Sequence, residues 1–213
     1  MLNNQKAISE KDLLMNARSY ALMATFAALA VVLNTIRIPT VYWPGMFYTI
    51  CDIPVVVAFL IYGFKIGILV EVLHILGQEI FFPAGPAGIV VYPMGLIYHT
   101  LMFSGIYLAG KFINRRAASP GQFGEKKRAV YFTFFAAAFR GGLMPVIDSA
   151  VLYNILLPLV LGVAIPEAYI FALVPSFVLY NVTTTLYLVP VAYLLARRVS
   201  NYLGLKPQLP IQI

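Results

Sequence analysis

Six ionisable side chains interrupt otherwise apolar stretches of this 213-residue sequence: Asp52, Glu71, His74, His99, Arg140 and Asp148. At the centre of a bilayer such a group costs about 2.5 to 3.5 kcal/mol on insertion scales, so each is expected to face the interior of a helical bundle. Their chemistry there is charge pairing, proton transfer or the anchoring of a ligand. A rise of 1.5 Å per residue sets Glu71, His74 and Arg140 at a shared depth, roughly 9 to 16 Å from the near ends of their apolar runs. Pairing of Arg140 with Glu71 or His74 would neutralise a buried charge, which is a structural explanation for both. The alternative is a part in ligand binding or conformational change. Asp148, Asn154, Tyr180 and Asn181 add polar groups to the last two apolar runs. Hydroxyls and amides in such places bond neighbouring helices, yet these four also offer the few oriented polar groups that an apolar pocket requires.

Other chemistries find little support. His74 and His99, in neighbouring runs, admit a reading as axial ligands of a haem, but a lone pair of histidines is a weak signal. There is no HExxH zinc motif, no GxSxG elbow and no GxxxxGK[ST] loop, so any ATP chemistry must come from a partner. Cys51 is the single cysteine, which leaves no internal disulfide and no thiolate cluster for a metal.

The elements that must position these residues follow from composition. The chain is 61% hydrophobic and 11% charged with a mean hydropathy of +0.85, whereas a soluble domain carries roughly 25% charged residues. A hydrocarbon core about 30 Å thick needs about 20 apolar residues per helix. The expected architecture is therefore an all-α integral membrane protein, one domain of six transmembrane helices over 19–36, 52–64, 65–82, 89–112, 130–161 and 169–196, the second of them short. A cleavable leader is the competing reading of the first run, because Ala28-Leu29-Ala30 resembles a cleavage site; the triplet lies inside the run, where cleavage does not occur.

With the N-terminus inside, thirteen of the fifteen Lys and Arg fall on the cytoplasmic side, Arg37 falls outside and Arg140 within a span. That asymmetry is the positive-inside rule, and it makes both termini cytoplasmic. It also turns the net charge of +7 into a statement about topology, with no nucleic acid implied. The outer connections 37–51 and 81–93 mix Pro, Gly and aromatic residues with almost no charge. Tyr42, Trp43, Phe47, Tyr48 and Tyr92 there fit either an aromatic belt at the headgroups or an apolar lid over an outward-facing pocket. On the first span, Ala17, Ala21, Ala24 and Ala28 are spaced four, three and four, so they form one narrow stripe. Small residues on one face let another helix approach closely, either within this bundle or on a second membrane protein.

These pieces together resemble the substrate-binding S components of energy-coupling factor (ECF) vitamin transporters, near their riboflavin-binding branch. The likeness runs over about 17–198. It is carried by Asp52-Ile53-Pro54 at the start of span two, by Gly63 and Gly67 flanking Lys65 with Val70-Glu71 beyond, by Ala24 and Ala28, and by Tyr153-Asn154-Ile155-Leu156-Leu157-Pro158, which is similar to an N-[YF]-x-x-L-P stretch of that branch. The resemblance implies a vitamin-capture subunit in a prokaryotic plasma membrane that docks onto an EcfT-like transmembrane coupling subunit with two ATP-binding subunits, through Ala21, Ala24 and Ala28. It implies a ligand near the outer surface, covered by the first outer loop and contacted by spans four to six. It implies no cofactor and no enzymatic activity in this chain itself. The expected ligand contacts are Tyr42, Trp43, Tyr48, Tyr92, Asp148, Asn154, Phe177, Tyr180 and Asn181, with Glu71 and Arg140 as buried charges. One departure bears on the ligand: where riboflavin binders carry P-F-N-L-x-K-G, this chain has Pro175-Ser176-Phe177-Val178-Leu179-Tyr180-Asn181. Phe177 and Tyr180 stand in place of the asparagine and lysine, and tyrosine cannot supply lysine's charge. Riboflavin thus becomes one of several candidate ring compounds. The alternatives are a self-contained secondary transporter using Glu71, His74 or Arg140 for proton coupling, the haem protein, and an assembly factor.

Overall fold

The computed structural model describes residues 17–41, 47–116 and 124–205. Six helices follow in order: α1 (Ala17–Leu33), α2 (Asp52–Tyr62), α3 (Phe64–Phe81), α4 (Gly88–Arg116), α5 (Glu125–Leu161) and α6 (Glu167–Leu203). Three of them, α4, α5 and α6, are long and apolar enough to cross a membrane. Helices α1 and α2 are shorter than expected: 17 and 11 residues reach only about 25 and 17 Å at 1.5 Å per residue. Helix α3 carries Lys65, Glu71 and Glu79 within its 18 residues. The last two helices run further than their apolar stretches, since charged residues at one end, Glu125 to Arg128 and Arg197 to Arg198, continue the turns.

Helix α2 is the axis of the bundle. Its residues Val55, Val56, Val57, Ala58, Phe59, Leu60 and Ile61 are all buried, and it packs against α1, α3 and α6. A helix apolar all round belongs inside a bundle instead of at its lipid surface. Asp52 in its first turn complements the helix dipole. Gly63 ends it at φ 87° and ψ −175°, a conformation open to glycine and costly for a residue with a Cβ. The chain then turns back into α3, with Phe59 stacked on Phe103 of α4 at 4.1 Å between ring centroids.

Helices α4, α5 and α6 pack in sequence, α5 between the other two. Helix α5 is not uniform. Pro145 removes one backbone donor, and the helix then widens into a π segment over Asp148–Leu156 before closing with Leu157–Leu161. Ser149 Oγ donates to Pro145 O at 2.7 Å and Asn154 Nδ2 to Ser149 O at 2.8 Å, so side chains supply bonds that the altered ladder leaves unmade.

One element departs from the all-α expectation. The connection between α1 and α2 contains an antiparallel hairpin of β1 (Arg37–Pro39) and β2 (Phe47–Thr49), with Ile38 opposite Tyr48. At the far end of the bundle an ion pair of Arg197 with Glu125 ties α6 to the start of α5. The basic residues 126–128 and 197–198 therefore share the end opposite the hairpin.

Candidate functional site

The hairpin does not float over the helices; it is bonded to α6. Tyr48 stacks on Tyr180 with centroids 5.6 Å apart and planes 18° from parallel, and meets Tyr187 edge-on at 5.8 Å. The Tyr48 hydroxyl lies 2.5 Å from Thr183 Oγ1. Tyr180 donates to Phe47 O at 3.0 Å and Tyr187 to Thr49 O at 2.7 Å, so the backbone of β2 is held at both ends of the strand. Tyr180, Thr183 and Tyr187 are three and four residues apart and so line one face of α6.

A buried polar chain leads inward from the hairpin. Cys51 Sγ lies 3.2 Å from Thr49 Oγ1 and 3.3 Å from Asp52 Oδ1. Asp52 Oδ1 is 3.7 Å from His99 Nε2, which has no hydrogen-bond partner. His99 Nδ1 lies 3.0 Å from Glu71 Oε1 and 3.2 Å from Gly95 O. The second carboxylate oxygen, Glu71 Oε2, is 3.1 Å from His74 Nδ1, and His74 Nε2 is 2.8 Å from Gln78 Nε2. Glu71 is 1% exposed; two imidazoles contacting its two oxygens supply the bonds that a buried carboxylate needs. The histidines thus share a carboxylate, one to each oxygen. Among the described residues no three His, Cys, Asp or Glu side chains converge as metal ligands.

Arg140 is the correction to the expected charge pairing. It meets neither Glu71 nor His74. Its Nε donates to Asn181 Oδ1 at 2.9 Å, its Nη1 lies 3.9 Å from Met102 Sδ, and its guanidinium carbon sits 4.3 Å over the ring of Tyr98. Asn181 is held in turn, its Nδ2 donating to Phe177 O at 3.0 Å. Gly141 makes this approach possible: a Cβ there would stand 2.5 Å from Val182 Cγ2, so only glycine lets α5 come this close beside Asn181. Rise per residue speaks only of depth and does not set the direction a side chain takes around its helix.

The remaining expected residues fall in several places. Phe177 is buried and stacked on Tyr153 of the π segment, with centroids 5.3 Å apart. Asp148, 9% exposed, opens that segment and lies within electrostatic reach of Arg140 and Tyr153. Asn154 is exposed, its amide spent on Ser149 O. Tyr92, in the second turn of α4, donates to Phe82 O at 3.2 Å and so ties that helix to the end of α3. Tyr42 and Trp43 lie outside the described residues, as does the side chain of Ala17. Ala21, Ala24 and Ala28 all face outward from α1 and take no part in the bundle's core. Two apolar grooves open on the bundle's flanks, about 780 Å³ between α5 and α6 and about 460 Å³ between α1 and α3, the latter including Ala28; neither is lined by a charged residue.

Sequence reasoning missed Thr183 and Tyr187 as partners of the hairpin, and Tyr98 and Tyr153 as walls. The three-and-four spacing of Tyr180, Thr183 and Tyr187 was a readable signal for the first pair. None marked the other two.

Comparison with known proteins completes the description. A family model for the substrate-specific component of ECF transporters matches residues 18–201. A solved structure described as the S component of a bacterial ECF transporter superposes with a TM-score of 0.65 at 19% identity, covering 87% of this chain and 97% of that chain, a likeness of fold. No curated protein matches the chain significantly.

Proposed function

Because the chain belongs to the family of ECF transporter substrate-specific components, membrane subunits that bind substrate and work with an energy-coupling module, we propose that it captures a vitamin-like ring compound at the outer face. Riboflavin is one candidate for that compound, and delivery would be to an EcfT-like transmembrane coupling subunit with two ATPases. The observation that carries this reading is the β1–β2 hairpin clamped on α6 by Tyr48, Tyr180 and Tyr187. A short connection fixed over a polar and aromatic helix face is a cover, and aromatic walls with a few oriented polar groups suit a planar ligand. The exposed Ala21, Ala24 and Ala28 are the proposed docking face for the coupling subunit, since small residues permit close helix contact. The termini are cytoplasmic in this reading and the chain is multi-pass, with the hairpin end outside.

Tagged protein drawn from native membranes tests the proposal. It is expected to bring a coupling subunit and ATPases with it, together with a retained small molecule.

A second reading is favoured by one observation, Glu71 bonded to both His74 and His99. Such a buried acid and two bases suit proton coupling in a self-contained transporter. Uptake into liposomes by the single chain, driven by a pH gradient without ATP, would select that reading. A haem between His74 and His99 would need the Nε2 atom of each, and His74 Nε2 already meets Gln78 Nε2 at 2.8 Å.

A further inference from the structure

Arg140 is 1% exposed, yet no carboxylate among the described residues lies within ion-pair distance of it. Glu71 is engaged by two histidines, Asp52 faces His99, and Asp148 stands beyond pairing range. The guanidinium has one amide oxygen, one thioether sulfur and one ring face, which leaves the outer edge of its fork without an oxygen acceptor. A buried guanidinium carries five N–H donors and is strongly disfavoured unless they are bonded and the charge is balanced. Phe177, Tyr180 and Asn181 share one face of α6 within a single turn, and each of the two aromatics is half of a stacked pair, with Tyr153 and Tyr48 respectively. The bonded Asn181 oxygen brings that face against Arg140.

From this juxtaposition we propose that Arg140 anchors a carboxylate of the captured ligand, whose ring system packs beside Tyr180 and Phe177 on the same face of α6. The planar fork of arginine matches a carboxylate with two parallel bonds. One guanidinium balances one negative charge, so a monoanionic carboxylate fits better than a phosphate ester carrying close to two charges. This inference rests on the ligand-capture reading above and narrows its substrate class from ring compounds in general to those bearing a carboxylate.

The test uses the full chain in detergent, freed of retained ligand, and a yeast extract separated on a strong anion exchanger into an anionic pool and an unretained pool. Melting temperature is measured with each pool. The anionic pool is expected to raise it by about 5 to 10 °C where the ligand stands at a hundredfold excess over Kd, and Arg140→Gln to abolish the rise while Arg140→Lys retains part of it. Should Arg140→Gln fail to fold, Asn181→Asp serves instead: it places a built-in carboxylate against the guanidinium and is expected to keep the fold and lose the response. A rise with the unretained pool alone, or an anionic response undiminished in these variants, overturns the carboxylate anchor and leaves ligand capture standing. A response to neither pool overturns both.

Discussion

Tyr48 of the hairpin lies on Tyr180 of α6, ring centroids 5.6 Å apart, while Tyr180 returns a hydrogen bond to the neighbouring carbonyl of Phe47. Cover and wall are therefore one unit. On the proposed reading a ligand beneath the hairpin leaves by breaking this contact, so its strength enters the dissociation rate. An aromatic pair is worth about 0.5 to 1.5 kcal/mol beyond area burial and a hydrogen bond about 1 kcal/mol. Tyr48→Ala should speed ligand release roughly threefold to tenfold, and Tyr180→Phe by less, as measured by the washout of bound ligand. Unchanged release in both variants would mean that the hairpin is not the gate.

The outward stripe of α1 gives a prediction with the opposite profile. Ala24 and Ala28 are exposed, so Ala24→Trp and Ala28→Trp should shift stability within about 0.5 kcal/mol and leave ligand binding intact. A bulky ring on a face built for close approach should nevertheless abolish recovery of the coupling subunit. Loss of ligand binding and partner together would point to damage within the bundle instead.

Adjacent glycines on α5 separate packing from propensity. A Cβ at Gly141 meets Val182 at 2.5 Å, whereas a Cβ at Gly142 meets nothing within 4 Å. Gly141→Val should cost about 1 to 3 kcal/mol by overpacking, and by moving α5 from α6 it should also weaken ligand binding through Arg140 and Asn181. Gly142→Ala should be neutral or stabilise by about 0.5 to 1 kcal/mol. Thermal unfolding in detergent reads both; equal effects would contradict the close approach.

Much of this architecture was legible in the sequence, and the parts that were not have physical reasons. Apolar runs located the helices, though the break between α2 and α3 falls at Gly63, where φ is positive, instead of between residues 64 and 65. The hairpin was invisible: strands of three residues give too little alternation to separate from a loop, and Pro39 argues against one. Rise per residue says nothing of the direction of Arg140, which depends on the azimuth of α5, where each residue turns 100°. The π segment beyond Pro145 changes that rotation further and turns the amide of Asn154 back on Ser149. Phe177 and Tyr180 stood out on α6 by their chemistry; that Tyr180 and Tyr187 would bond the β2 backbone required knowing that β2 exists.

The buried acid between two imidazoles yields a stability prediction. Glu71→Ala leaves His74 and His99 without their shared acceptor in a site closed to water. Breaking a buried pair by removing one partner costs about 3 to 5 kcal/mol, which thermal unfolding would show as a large loss. A cost under about 1 kcal/mol would mean that the cluster is held for function and contributes little to the fold.

The central claim, a capture subunit that is energised by others, is tested most directly by isolating the tagged chain from native membranes and analysing proteins and small molecules in the same sample by mass spectrometry. The account predicts a coupling subunit, ATPases and one small molecule retained near one copy per chain. A solitary chain without ligand that still drives pH-dependent uptake in liposomes would contradict it.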